Sequence, residues 1–175
     1  MKKLALFTLI SLAALACAHS KSGPMAMATL SPTTGQTARG TVHFTDTADG
    51  TEVVVDLTNV PPGVHGFHIH EGASCADDAK AAGGHFNPDN APHAAPDAAS
   101  HHAGDFGNVT ADDKGEVHTT FVTHSITVAA GTKSVVGHAV VLHANPDDLT
   151  SQPAGNAGPR IACGVTTAMA GSMQH

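Results

Sequence analysis

From residue 25 onward the chain consists of short segments in which apolar and polar residues alternate, each ended by a turn signal. Alternation of this kind indicates strands with one buried face, and seven or eight short strands favour an antiparallel sandwich or barrel. The clearest segments are 41–45, 52–57, 64–70, 106–110, 116–124, 135–142 and 160–166. No segment beyond the N-terminal region has a convincing helical period, although 127–130 could add a short turn. The sequence therefore predicts an all-β domain.

The first residues are expected to be an export signal and not part of the core. Lys2 and Lys3 precede an apolar run, 4–16, that ends in small residues and is too short to span a bilayer as a permanent helix. We interpret the chain as a signal peptide (1–18), a linker (19–24), a domain (25–167) and a C-terminal tail (168–175). Export to the periplasm or cell envelope follows from this interpretation.

Cys17 leaves two processing routes open. Ala-Leu-Ala-Cys at 14–17 resembles a lipobox, which would place a lipid on Cys17 and tether the protein to a membrane. Cleavage after Ala18 would instead remove the cysteine with the signal. Either route leaves Cys75 and Cys163, and an even pair in an exported protein indicates a disulfide. Two free buried thiols are the alternative.

The charge balance argues against a polyanion such as DNA as a partner. The whole chain has a formal net charge of −7 with histidine neutral. Removing Lys2 and Lys3 leaves 6 basic residues against 15 acidic ones. A chain this acidic would be repelled by a nucleic acid backbone.

Residues 71–104 do not fit the strand pattern. This stretch is rich in Ala, Gly, Pro, Asp and His, so it has little apolar surface with which to hold itself. It contains Cys75, His85, His93 and His102. Metal ligation and a disulfide would supply what packing does not. A disordered linker is the alternative, but it does not account for the histidine spacing.

Six histidines and one aspartate form the candidate metal site. His68 and His70 lie two apart on a predicted strand, so their rings face the same side. Three imidazoles and one carboxylate, in the segment His85 to Asp105, make a set suited to Zn²⁺. His143 follows an apolar strand and could complete a nitrogen-rich copper site with His68 and His70. The seven residues are His68, His70, His85, His93, His102, Asp105 and His143.

These segments resemble the copper,zinc superoxide dismutase family in order and spacing, and most closely its exported bacterial members. His-Gly-Phe-His-Ile-His at 65–70 is similar to the family's copper strand, and Gly-His-Phe-Asn-Pro at 84–88 to its bridging-histidine motif. The intervals from His85 to Asp105 resemble the family's zinc loop. The segment 155–165, GNAGPRIACGV, resembles its C-terminal signature. The resemblance covers roughly residues 25–167.

The resemblance implies an eight-stranded antiparallel Greek-key β-barrel with long metal-binding and electrostatic loops. It also implies roles for individual residues. Asp147 would link the ligands on the His70 side to those on the zinc side, Arg160 would hold the superoxide anion, and the two cysteines would anchor a loop of the site. The implied copper ligands are His68, His70, His85 and His143, and the implied zinc ligands are His85, His93, His102 and Asp105.

The implied activity is dismutation of superoxide to dioxygen and hydrogen peroxide, as antioxidant defence in the cell envelope. Copper would cycle between Cu²⁺ and Cu⁺, zinc would be structural, and His85 would bridge the metals and take up a proton on reduction. The resemblance leaves a homodimer possible. The alternatives are a dismutase-like domain that binds copper or zinc without turnover and a structural β-domain with incidental histidines.

Two residues keep alternatives of their own. Arg160 could be a structural ion-pair residue, although its position before the second cysteine strand favours a functional role. His101 adjoins His102, but the interval to Asp105 favours His102 as the ligand. The remaining histidines of the domain are expected to be structural (His65) or surface and satisfied positions (His43, His118, His124 and His138).

Overall fold

The computed structural model describes residues 23–170. The predicted signal peptide, Cys17 with its lipid, and residues 171–175 of the predicted tail lie outside the described residues. The strands are β1 (Met25–Pro32), β2 (Arg39–Thr47), β3 (Gly50–Thr58), β4 (Gly63–His70), β5 (Asp105–Ala111), β6 (Val117–Thr123), β7 (Ala139–His143), β8 (Arg160–Val165) and β9 (Thr167–Ala168). One turn of 3₁₀ helix, Lys80–Ala82, is the only helical element in this part of the chain.

Eight antiparallel strands form one sheet in the order β5-β4-β7-β8-β1-β2-β3-β6. The sheet curls because β1 changes partner along its length: Met25 to Leu30 pair with β2, whereas Ser31 and Pro32 pair with β8. At the seam β5 approaches β6, where the rings of Phe106 and Phe121 lie 5.3 Å apart. The predicted eight-stranded antiparallel barrel is confirmed.

Pairing extends to both ends of the described chain. The amide of Gly23 donates to the carbonyl of Asp46 at 2.9 Å. The short strand β9 pairs with the start of β1, with Ala168 opposite Ala26. No helix within residues 23–170 is long and apolar enough to cross a membrane.

The core follows the predicted alternation. In β3 the residues Thr51, Val53, Val55 and Leu57 are buried, while those between them are more exposed. The largest fully buried side chains include Phe44, Phe67, Leu30, Leu57 and Ile69. The barrel is therefore filled by aliphatic residues and phenylalanine.

The strand predicted over 135–142 was wrong in its first half. The sheet contains only Ala139–His143 of this region. Gly137 has a φ of +89°, outside the usual range of an extended strand, and Val135 donates from its amide to the carbonyl of Thr127. The alternation of apolar residues continued past a turn that interrupts the backbone pairing.

The predicted disulfide is confirmed. Cys75 and Cys163 are joined, with their Cα atoms 5.8 Å apart and a separation of 88 positions in sequence. The bond ties the start of the long loop to β8, next to Ala79 and Ala82, which are fully buried. One end of a loop with little apolar surface is thus fastened covalently to the barrel.

Candidate metal centre

Three of the candidate ligands project from adjacent strands of the barrel. His68 and His70 are the last alternate residues of β4, and their side chains lie opposite the core residues Phe67 and Ile69. His143 ends β7, where the register shifts and brings it opposite Arg160 of β8. All three histidines are buried, with 5% exposure or less. Pairing of β4 with β7 fixes the spacing of this half of the site.

His85 completes the first group of ligands. It forms an isolated β-bridge with His70, which brings the long loop against the end of β4. The rings of His68 and His85 lie 4.0 Å apart. One nitrogen from each of His68, His70, His85 and His143 lies within 4.8 Å of the others. The structure thus brings together the four histidines that sequence reasoning placed at copper.

The second group converges on one carboxylate oxygen. Oδ1 of Asp105 lies 2.7 Å from Nδ1 of His85, 3.0 Å from Nδ1 of His93 and 3.2 Å from Nδ1 of His102. The other oxygen, Oδ2, accepts hydrogen bonds from the amides of His102 and Ala94. Burial alone would raise the pKa of Asp105, but the hydrogen bonds from His85 and His93 hold that pKa well below its usual value. An ionised oxygen at the centre of three imidazoles is suited to a cation.

The hydrogen bonds of the outer ring nitrogens fix which inner nitrogens carry a lone pair. Nδ1 of His70 donates to the carbonyl of Gly83 at 3.0 Å, and Nδ1 of His143 donates to that of Gly158 at 3.1 Å. Because each ring then carries its proton on Nδ1, both Nε2 atoms are acceptors when the rings are neutral. They face each other at 3.3 Å. Two lone pairs at this distance repel unless a cation lies between them.

Buried nitrogens without partners lead to the same conclusion. Among residues 23–170, Nδ1 of His68, Nε2 of His85 and Nδ1 of His102 are buried side-chain nitrogens with no hydrogen-bond partner. Leaving such an atom unsatisfied costs roughly 1–3 kcal/mol. All three belong to the two groups, so metal ions coordinated there would satisfy them. The residues present therefore fit two metal ions.

Burial also keeps three of the copper-side imidazoles neutral, those of His68, His70 and His143. It lowers the pKa of His68 to about 4 even though Asp147 opposes the shift, and that of His143 to about 3. Burial holds the pKa of His70 well below its usual value too. A neutral imidazole is the form that binds a metal, so these ligands need lose no proton at neutral pH.

Asp147 links the two groups. Its Oδ2 accepts from Nε2 of His68 at 2.7 Å, and its Oδ1 accepts from Nε2 of His93 at 3.0 Å. On the copper side Asp147 contacts His68, while the proton of His70 goes to the Gly83 carbonyl.

A cleft of about 240 Å³ opens over His70, His85 and His143. Its opposite wall is formed by residues 152–154 and 156–158 of the loop between β7 and β8. Arg160 is the only formally charged residue that lines this cleft in the described part of the chain. A small anion entering it would meet one guanidinium and no carboxylate.

A protein-family model described as copper/zinc superoxide dismutase (SODC) matches residues 38–166 of this chain. The chain belongs to the copper/zinc superoxide dismutase family. The match spans the candidate ligands of both groups, and members of this dismutase family bind copper and zinc. The chain is also similar to a solved structure titled as that of the clock protein EA4, with 36% identity and a TM-score of 0.75. That similarity covers 86% of this chain and 99% of the other.

In this dismutase-family fold Arg160 has a structural contact as well as a place in the cleft. Its guanidinium donates to the carbonyls of Ala79 and Gly83, the latter at 2.5 Å. Arg160 therefore also holds the loop that follows the disulfide, as a structural residue would. Gly83 also accepts from His70, so Arg160 and a copper-side ligand share one carbonyl.

The other histidines of the dismutase domain lie outside both ligand groups. His65 is buried and its two ring nitrogens contact the carbonyls of Pro61 and His143, a structural role as expected. His101 donates to the carbonyl of His102 at 2.7 Å and is not part of the zinc-side group. His118 is exposed and pairs with Asp56. His138 donates to the carbonyl of Glu71.

Two amide side chains that sequence reasoning missed support the site. The side chain of Asn108 in β5 donates to the carbonyl of Asp147 at 2.9 Å and accepts from its amide at 2.7 Å. Gln152 makes the corresponding pair of bonds with His93. A polar Asn inside the strand predicted over 106–110 was the available signal for the first. Nothing in the sequence pattern marked the second.

Proposed function

We propose that this chain is a superoxide dismutase, which converts two superoxide anions and two protons into dioxygen and hydrogen peroxide. Membership of the copper/zinc superoxide dismutase family supports the activity. The observation that carries the proposal is the pair of ligand groups that share His85 beneath a cleft lined by one arginine.

The two groups differ in the metal they suit. His68, His70, His85 and His143 offer four imidazole nitrogens and would hold copper, whereas His85, His93, His102 and Asp105 form a closed set and would hold zinc. When bound, copper would supply the one-electron oxidation and reduction that dismutation needs, and zinc, which has no redox chemistry, would fix the site.

The residues around the cleft would bind the anion and supply a proton. Arg160 would attract superoxide by its charge and orient it by its planar guanidinium, a group that stays charged at working pH. Nε2 of His85 is buried, has no hydrogen-bond partner among the described residues, and belongs to a ring that lines the cleft. It can therefore hold one of the two protons that the reaction consumes. Nδ1 of the same ring points the other way, towards Oδ1 of Asp105.

We further propose that the protein acts in the cell envelope as an antioxidant enzyme. The N-terminal pattern and the disulfide support export, because disulfides persist in oxidising compartments. Lipidation of Cys17 and assembly into a homodimer stay predictions. Intact mass of the protein from cell membranes tests the lipid: a Cys17 carrying diacylglycerol supports the tether, and a chain beginning at His19 contradicts it.

A dismutase-like protein that stores or delivers metal without turnover is the second candidate. It would need the ligands but no anion-binding residue in a cleft beside the copper group. Arg160 lines that cleft together with His70, His85 and His143, and this favours the enzyme.

The substitution His143→Ala tests the copper assignment. His143 lies outside the zinc-side group, so the variant should lose dismutation while zinc stays bound. Metal stoichiometry and superoxide-dependent activity are measured together, with His124→Ala at an exposed histidine as the control. Near-normal activity in His143→Ala would contradict the assignment.

A further inference from the structure

The side chain of Gln152 pairs with the backbone of His93. Its Nε2 donates to the carbonyl of His93 at 2.7 Å, and its Oε1 accepts from the amide of His93 at 2.9 Å. The two residues are 59 positions apart in sequence, and Gln152 itself is exposed. An exposed glutamine thus makes two short hydrogen bonds to a residue whose ring is buried.

These two bonds are the only partners of the His93 backbone among residues 23–170. Buried backbone groups without partners are costly, so the conformation of the loop at His93 depends on this amide. Gln152 therefore supplies the pairing that a strand partner would supply elsewhere.

The same loop encloses His93 from two further sides. Oδ1 of Asp147 accepts from Nε2 of the ring. Gly155, which has a φ of +64°, approaches so closely that a Cβ there would lie 2.7 Å from His93 Nε2 and would overlap Oδ1 of Asp147. Ring and backbone of His93 are thus both held by the segment 147–155.

Gln152 also lines the cleft together with Pro153 and Ala154. The residue that fixes the His93 backbone is therefore part of the wall opposite His70 and His143. Two hydrogen bonds join Gln152 to the backbone of His93. A displacement of His93 would therefore also move Gln152, and with it that wall of the cleft.

We propose that Gln152 is a positioning residue: it fixes the backbone of His93 for the zinc-side group and couples occupation of that group to the order of the cleft wall. The proposal rests on the zinc assignment made under the proposed function. Gln152 contributes no ligand atom to either group and acts through the backbone of His93.

The test compares Gln152→Met with Gln36→Met in the full mature protein. Methionine keeps the length of the side chain but removes both hydrogen bonds to His93, together with a longer one to the Thr150 carbonyl at 3.2 Å. Gln36 is exposed, and its side chain has no hydrogen bond in the described chain, so it is the matched control. Three quantities are measured: zinc affinity by chelator competition, the visible spectrum of Co²⁺ bound in place of zinc, and hydrogen exchange of residues 145–157 with and without zinc.

We expect Gln152→Met to weaken zinc binding by roughly tenfold, at the low end of the effect of losing a residue that orients a ligand. The Co²⁺ spectrum should change, and zinc should slow hydrogen exchange of 145–157 less than in the wild type. Gln152→Glu keeps the acceptor for the His93 amide but loses the donor, so it should be intermediate. Gln36→Met should match the wild type.

Zinc affinity within twofold of the wild type, with an unchanged Co²⁺ spectrum, would overturn the proposal. His93→Ala separates this result from failure of the zinc assignment. If His93→Ala loses zinc while Gln152→Met does not, only the role of Gln152 is refuted. If His93→Ala also keeps zinc, the zinc assignment itself is refuted. Should Gln152→Met fold poorly, Gln152→Glu carries the same comparison.

Discussion

The barrel and its two long loops are stabilised in different ways. The barrel buries Phe44, Phe67 and many aliphatic side chains completely. The loops, 71–104 and 144–159, are rich in Ala, Gly, Pro and polar residues and are held by a disulfide, by Arg160 and by side-chain hydrogen bonds to backbone. Apolar burial therefore maintains the barrel, while specific polar contacts and one covalent bond maintain the loops.

The two ligand groups differ in the same way, because one is formed mainly by strands and the other mainly by a loop. Three of the four copper-side ligands lie on β4 and β7, whereas three of the four zinc-side ligands lie in the loop 71–104. The copper side should consequently be formed by the barrel, and the zinc side should depend on what holds the loop. Substitutions in the two regions should separate stability from metal binding.

Removing the disulfide should have the largest effect on stability. The chain-entropy model values a closed loop of this size at roughly 4–5 kcal/mol. Cys75→Ala with Cys163→Ala should lower the free energy of unfolding by about that amount and expose residues 71–84 to protease. Wild-type protein treated with a reductant is the matched comparison. A reduced protein as stable and as protected as the oxidised one would mean that the barrel alone holds this loop.

Truncating a core side chain should cost nearly as much but act on the barrel. Phe67 is fully buried, and a Phe→Ala change in a core costs roughly 3–5 kcal/mol. Denaturant unfolding of Phe67→Ala measures it, with Val122→Ala as the control because Val122 is 49% exposed. Equal effects of the two substitutions would contradict the conclusion that apolar burial maintains the barrel.

Removing the shared carboxylate should affect metal binding more than the fold. Asp105→Ala removes the oxygen on which three imidazoles converge, so zinc affinity should fall at least about 100-fold and the loop 71–104 should become protease-sensitive. Asp97→Ala, an exposed carboxylate of the same loop, is the control. Unchanged zinc content and protection in Asp105→Ala would show that Asp105 is not a ligand.

Substituting the arginine of the cleft should have the smallest effect of the four. Arg160→Gln should lower the rate by roughly tenfold, about 1.4 kcal/mol, with both metals bound and a different dependence on ionic strength. It should also lower stability slightly, because two hydrogen bonds to the disulfide loop are lost. Arg160→Lys should be intermediate, and Arg39→Gln is the control. Loss of metals in both Arg160 variants would make the residue purely structural.

Strand positions and ligand groups were the parts that the sequence allowed us to predict. Alternation with a period of two located β3 and placed His68 and His70 on one side of β4, because a strand encodes its faces locally. The strand over 135–142 was misjudged, since the turn at Gly137 lies inside an unbroken apolar pattern. Alternation of apolar residues predicts an extended backbone, and this prediction fails where a turn does not interrupt the alternation.

Contacts between loops could not be predicted. Gln152 meets His93 across 59 residues, and Asn108 meets Asp147 across 39. Both are hydrogen bonds from an amide side chain to a backbone. Such bonds need no complementary charges and no fixed spacing, so the sequence gives no sign of them. The path of the loop likewise decides which histidine on the copper side Asp147 contacts, namely His68.

The most direct test of a two-metal dismutase is metal content and superoxide-dependent activity measured on the same purified mature protein. We expect one copper and one zinc per chain, activity that is lost when copper is removed, and recovery when copper is restored. Two bound metals with no dismutation would contradict it and would indicate a metal-binding protein of the dismutase fold.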